Sequence, residues 1–137
     1  MKCVAFLVGA LVTACAQMSP QINAEEAVAH VKKGISVIDV RSPNERQVGA
    51  FPGATHIIYG PERWNGIVEP HHAKEFISKV RSAFPDKATP IILFCNAGVR
   101  SLGATSALLN DGYANVSSVR DGFMGNEFGE GIGFHVP

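Results

Sequence analysis

The stretch PIILFCNAGVRSLGATSALL, residues 90–109, decides the fold. With Thr89 before it, TPIILF ends in a short, unbroken apolar run, IILF, of the kind that forms a strand covered on both faces. SLGATSALLNDGY has its apolar residues at helical spacing and is expected to end near Gly112. Between strand and helix stands Cys95, followed by Asn96, Ala97, Gly98, Val99 and Arg100. A thiol at that junction, among small residues and beside an arginine, is the feature that any functional reading has to explain.

The flanking sequence extends the same alternation. In INAEEAVAHVKKG, residues 22–34, Asn23 is placed to cap a helix with Glu26 completing a capping box, and Gly34 is suited to the left-handed turn at its end. ISVIDV, 35–40, is nearly all apolar and predicts a buried strand. It stops at RSPNE, where Ser42, Pro43 and Glu45 spell a second helix start. FPGATHII predicts a Pro-Gly turn feeding a short strand, YGPERWNGIVEP (59–70) a loop, HHAKEFISKVRSAF a helix, and VSSV a last strand before a glycine-rich ending. Apolar strands alternating with helices predict an α/β fold, a central parallel sheet with helices on both faces. Sites in such sheets lie beyond the C-terminal ends of the strands. Asp39, Arg41 and Cys95 all fall at that edge.

The 137 residues suffice for one domain. The composition, 46% hydrophobic and 18% charged, is that of a globular protein. A formal net charge of zero removes any bulk electrostatic argument for nucleic acid or an anionic membrane as partner. The first residues, MKCVAFLVGALVTACAQMSP, have a lysine, an apolar run and small residues in the order of an export signal. We read residues 1–16 as a signal peptide and 20–137 as the folded domain, exported to the periplasm. Ala14-Cys15-Ala16 offers a cleavage site, and Val12-Thr13-Ala14-Cys15 also resembles a lipobox, which would make a membrane-anchored lipoprotein through Cys15. Either route leaves Cys95 as the single unmodified thiol, without an internal disulfide partner.

Gly98 allows a tight turn after Cys95, and the following helix start and Arg100 make the surroundings electropositive. These features favour the nucleophilic thiolate over a thiol packed as a small hydrophobe. Asp39 and Arg41 are expected to form a structural ion pair or to cap backbone. His71 and His72, adjacent and so aimed differently, are expected to be solvated rather than metal-binding. His30 and His56 read as scaffold residues, and Trp64 as either lining the pocket or anchoring the 59–70 loop.

The chain resembles single-domain rhodaneses, sulfurtransferases that carry sulfur as a cysteine persulfide. VIDVRSPNERQVGAFPGATHI resembles the family's first signature, D-x-R-x-x-x-E followed by a P-G-A turn. CNAGVRS resembles its active-site loop, C-x-x-G-x-R, and VRDGFMGNEFGEGIGFHVP its glycine-rich ending. Ala50 and Asn96 stand where the family often has histidine and arginine, and Phe128 is the candidate for the aromatic of the ending. The resemblance implies a rhodanese-like fold and Cys95 as catalytic nucleophile. It implies substrate binding by Arg100 with Asn96, Ala97, Gly98, Val99 and Ser101, and support from Asp39 and Arg41. No metal or cofactor is implied beyond the covalent persulfide. The expected partners are a small anionic sulfur donor such as thiosulfate and a thiophilic acceptor such as cyanide or a thiol, acting on a monomer. Cysteine phosphatases and arsenate reductases are rivals, but their loops place five residues between Cys and Arg. Here four intervene. A non-catalytic sulfur-carrier or binding domain of the cell envelope is the other alternative.

Overall fold

The computed structural model describes residues 17–135, together with the backbone of two three-residue strands, β1 (Phe6–Val8) and β2 (Leu11–Thr13), which pair antiparallel. The other residues of the expected signal peptide (1–16), Cys15 among them, lie outside the described residues. From there the chain runs β3 (Gln21–Ile22), α1 (Ala24–Lys32), β4 (Ser36–Asp39), α2 (Pro43–Arg46), β5 (Thr55–His56), α3 (Pro70–Ala83), β6 (Ile91–Phe94), α4 (Val99–Asn110), β7 (Val116–Val119) and a 3-10 turn over Ile132–His135. Strands β3 to β7 form one parallel sheet in the order β3-β7-β6-β4-β5.

The most apolar strand, β6, lies at the centre of the sheet, and its alternating side chains divide the core in two. Ile91, Leu93 and Cys95 face α3 and α4, where they pack with Phe76, Val80, Ala104 and Leu108. Ile92 and Phe94 face the other way, against Ala24 and Ala27 of α1, Phe51, Phe123 and Ile132. Phe76 is fully buried and meets Tyr59 edge-on at 5.2 Å. Burying one such side chain contributes about 1.5–3 kcal/mol. No helix among the described residues is long and apolar enough to cross a membrane.

Both expected helix starts form. Asn23 accepts the Glu26 N–H at 2.8 Å and Glu26 returns a bond to the Asn23 N–H, the reciprocal capping box. The start at Ser42 yields a single turn, α2, because the chain must then bend through Gly49 and Pro52 to place β5 beside β4. Besides β1 and β2, which fall in the stretch read as a signal peptide, two elements have no signal in the sequence reading. Strand β3 has only two residues, and its pairing with β7 depends on a partner almost a hundred positions away. The 3-10 turn sits in the glycine-rich ending and packs Ile132 into the core.

Candidate active site

Cys95 follows directly on β6, and its sulfur is held against the first turn of α4. The Gly98 N–H donates to Sγ at 3.1 Å and the Ser101 N–H at 3.4 Å. The Ser101 hydroxyl lies 3.5 Å from Sγ and is itself tied to Ser118 Oγ at 2.7 Å. Two amide donors and a helix start therefore converge on one sulfur, an arrangement that stabilises negative charge there. Gly98 makes the turn possible. Its φ of 98° is left-handed, and a Cβ would overlap the carbonyl oxygen of Arg120.

The glycine-rich ending braces this loop from behind. The Phe123 and Met124 N–H groups donate to the carbonyls of Cys95 and Asn96 at 2.7 and 3.0 Å. Asn126 donates through Nδ2 to the carbonyls of Ala97 and Arg120. Gly122 lies so close to Asn96 that a Cβ would overlap its carbonyl group. Phe128, the candidate aromatic of the ending, is 62% exposed and rests over Arg120. The buried aromatic of this segment is Phe123, stacked on Phe94 at 5.8 Å.

Asp39 and Arg41 form the expected ion pair, and both are wholly buried. Asp39 accepts from the Arg41 backbone N–H and from its Nε and Nη2, with the shortest contact 2.8 Å. The guanidinium also donates to the Gly49 carbonyl at 2.8 Å, and lies 4.2 Å from the Phe123 ring centre. Through Nη1 it reaches Asn96 Oδ1 at 3.4 Å. The pair thus orients the loop without lining the space above the sulfur.

That space is a cleft of about 410 Å³, whose walls include Trp64, Ala97, Val99, Arg100 and Glu45. Trp64 therefore lines the site, and its ring centre lies 4.1 Å from the Arg100 guanidinium. Two loop residues expected to touch substrate do not face the cleft. Gly98 and Ser101 are buried, because their amides are turned inward to the sulfur.

Arg100 also departs from expectation. Its guanidinium is not a free cation but forks onto the Glu45 carboxylate, at 2.8 Å from Nη1 and 2.6 Å from Nη2. Glu45 takes further bonds from Asn96 Nδ2 at 2.9 Å, the Ser42 N–H at 2.9 Å and the Ser42 hydroxyl at 2.8 Å. The sequence marks Glu45 only as a helix cap and a member of the first signature. Its pairing with a residue 55 positions away exists only in three dimensions.

Burial pushes the Glu45 carboxyl up, but the Arg100 hydrogen bonds, the Ser42 donors and the Arg100 charge outweigh it. The net effect lowers its pKa from the ordinary 4.5 to about 2. A carboxyl with a depressed folded-state pKa stabilises the fold fully above its unfolded value. That contribution is lost as pH falls through the interval from 4.5 to about 2. Glu45→Gln should therefore be less stable than the native chain at pH 6 but lose less stability between pH 6 and pH 3. Urea midpoints at the two pH values measure this, and parallel losses would contradict the assignment.

His56 lies 3.6 Å from Asp39, and its pKa is lowered by burial and by the Arg46 charge. His71 and His72 do not diverge as expected. Their ring centres are 4.0 Å apart, and together with Glu69 they place ligand atoms within 4.8 Å of one another. Yet His72 Nδ1 accepts the Glu69 N–H at 2.9 Å, which occupies one of its ring nitrogens in capping α3. Among the described residues Cys95 is the free cysteine, and it is buried.

Residues 23–126 match the family model for the Rhodanese-like domain. Thiosulfate sulfurtransferase GlpE of Pseudomonas entomophila is 31% identical over 103 residues, covering 75% of this chain and 80% of that protein. Thiosulfate sulfurtransferase 16, chloroplastic, of Arabidopsis thaliana is 32% identical over 98 residues, covering 70% and 78%. Against Rhodanese-like domain-containing protein 10 of Arabidopsis thaliana the chain spans 60% of the relative's length. The crystal structure of Rv0390 from M. tuberculosis superposes with a TM-score of 0.67 at 20% identity, covering 85% and 93%. The Rhodanese-like domain from Anabaena sp. superposes with a TM-score of 0.61 at 18% identity, covering 88% and 86%. Those two likenesses show the rhodanese-like α/β fold, and the match over 23–126, with the 31% identical thiosulfate sulfurtransferase relative, shows that the chain belongs to the rhodanese-like family.

Proposed function

We propose that the chain is a sulfurtransferase of the thiosulfate:cyanide type, moving sulfane sulfur from thiosulfate or a related donor to a thiophilic acceptor. The observation that carries this reading is the Cys95 sulfur, receiving two amide N–H bonds at the floor of the cleft. Cys95 attacks the outer sulfur of the donor, and a new S–S bond forms as the donor's own bond breaks and its electron pair leaves with sulfite. The persulfide then yields its outer sulfur to cyanide or a thiol, which regenerates the thiolate. This is covalent catalysis in two half-reactions. The sulfur is carried on the protein itself, so no cofactor or metal takes part, and the chain acts as a monomer. Asn96, Ala97, Val99 and Arg100 shape the approach to the sulfur, while Gly98 and Ser101 hold it. The test is the intact mass after thiosulfate, which should rise by one sulfur atom and return to its starting value on adding cyanide. Release of phosphate from phosphoesters with no gain of sulfur would favour the phosphatase alternative instead.

We further propose that the protein works in the periplasm, on the strength of the charge, apolar run and small residues of its first sixteen positions. Cell fractionation with N-terminal sequencing should find a soluble protein beginning near Gln17. Recovery only in detergent, released by Cys15→Ala, would make it a lipoprotein, and a cytosolic protein retaining Met1 would end the export reading.

A further inference from the structure

The loop that carries Trp64 to the cleft is exposed at the two residues that follow it. Of the asparagines in the sequence, Asn65 alone is followed by glycine. Asn65 and Gly66 lie outside any helix or strand, and a Cβ on Gly66 would meet nothing within 4 Å. The other asparagines are held. Asn44 and Asn110 sit in helices, Asn23 caps α1 and Asn115 is buried. Asn96 and Asn126 commit their side-chain amides to Glu45 and to the carbonyls of Ala97 and Arg120. Asn65 has one restraint: its Oδ1 accepts the Ile67 N–H at 3.0 Å, an Asx turn that folds the side chain back along the chain. The Gly66 nitrogen, the next backbone atom after the Asn65 carbonyl carbon, can then close a five-membered ring on Asn65 Cγ. A side chain at position 66 would crowd that ring, and glycine does not.

We propose that Asn65 is a site of spontaneous modification, converting through a cyclic imide with Gly66 to aspartate and isoaspartate, and that isoaspartate formation releases Trp64 from the Cys95 cleft. The Gly66 nitrogen forms a bond to Asn65 Cγ, the bond from Cγ to Nδ2 breaks, and ammonia leaves with the proton that Gly66 gives up. Water then adds to the ring. Opening at Cγ gives aspartate, opening at the main-chain carbonyl gives isoaspartate, and neither route needs an oxidant or reductant. Isoaspartate sends the main chain through Cβ and so inserts one carbon directly after Trp64. Trp64 and Val68, on either side of that insertion, both pack at Gly60, where a Cβ would lie 3.3 Å from Trp64 Cζ3 and 3.6 Å from Val68 Cγ2. Lengthening the chain between two side chains that meet at one glycine displaces the one beside the insertion. That one is Trp64, whose ring centre now lies 4.1 Å from the Arg100 guanidinium.

The experiment incubates the full chain in neutral buffer at physiological temperature, with a synthetic peptide of residues 61–70 as the unprotected reference. Isoaspartate is read by transfer of a labelled methyl group from S-adenosylmethionine with protein isoaspartate methyltransferase, and located by peptide mass mapping. Trp64, the sole tryptophan of the sequence, reports by its fluorescence. Label should accumulate at residue 65 at a rate within ~10-fold of the peptide's, the most that one exposed hydrogen bond can slow it. The Trp64 emission should move to the red in step with the label. Asn65→Ser, whose hydroxyl can accept the same Ile67 N–H but which has no amide to lose, should show neither change. A rate slower than the peptide's by more than that margin, or equal label in Asn65→Ser, overturns the modification site. Label at residue 65 with unchanged emission overturns its coupling to the cleft.

Discussion

Cys95→Ser is expected to abolish sulfur loading and to lower sulfite release from thiosulfate by at least ~10³-fold, the scale of loss when a covalent nucleophile is removed. Serine supplies neither a thiolate nor a sulfur on which a persulfide can form. The fold should tolerate the change. A hydroxyl placed where Sγ lies meets the Gly98 and Ser101 N–H groups and the Ser101 hydroxyl, so a buried polar group is not left unpartnered. The loss of stability should be about 1 kcal/mol, the scale of a small core replacement with its hydrogen bonds made. Intact mass after thiosulfate and the thermal midpoint separate the two effects. A serine variant that still gains one sulfur atom would falsify the assignment of Cys95, and one that unfolds would make the thiol a packing residue.

The second large effect lies below the loop. Asp39→Ala removes the counter-ion of a guanidinium with no exposure to water, leaving Arg41 the Gly49 carbonyl, weaker contacts to Glu45 and Asn96, and two aromatic rings. Breaking a buried pair on one side costs about 3–5 kcal/mol. That is a large share of the roughly 5–15 kcal/mol that stabilises a domain. The thermal midpoint should fall by about 10–20 °C, and urea unfolding should shift to match. Asp39→Ala with Arg41→Met, which removes both charges, should be less damaging than Asp39→Ala alone. A fall of less than about 1 kcal/mol in the single variant would show that Arg41 is solvated in solution and that the pair does not support the site.

The reading of Arg100 shows where sequence reasoning stops. An arginine five positions after a loop cysteine is reasonably taken as a free charge for an anionic substrate. The single turn that follows Asp39 brings Glu45 across the mouth of the loop, and the bidentate bond at 2.6 and 2.8 Å uses that charge internally. Trp64 is a similar case. It stands in the 59–70 loop with no periodicity to orient it, and its position over Arg100 exists only in the folded chain. Phe128 and Phe123 are five positions apart in a segment without a repeating pattern. Which one enters the core is decided by the backbone bonds of Phe123 to Cys95 and Gly133.

What the sequence by itself determined is whatever depends on near neighbours along the chain. The apolar run at β6, the capping boxes at Asn23 and Glu26 and at Ser42 and Glu45, the tight turn at Gly98, and a cysteine at a strand–helix junction all rest on short-range sterics and hydrogen bonds. These were enough to specify an α/β sheet and to put Cys95 at the C-terminal edge of its strands. Tertiary structure alone decided the two-residue strand at the sheet edge, the bracing of the loop by the glycine-rich ending, and the neutralisation of Arg100 by Glu45. Each joins groups far apart in the chain through contacts at hydrogen-bond distance. Local propensity carries no information about such encounters, because the closure of the whole sheet sets which side chains meet.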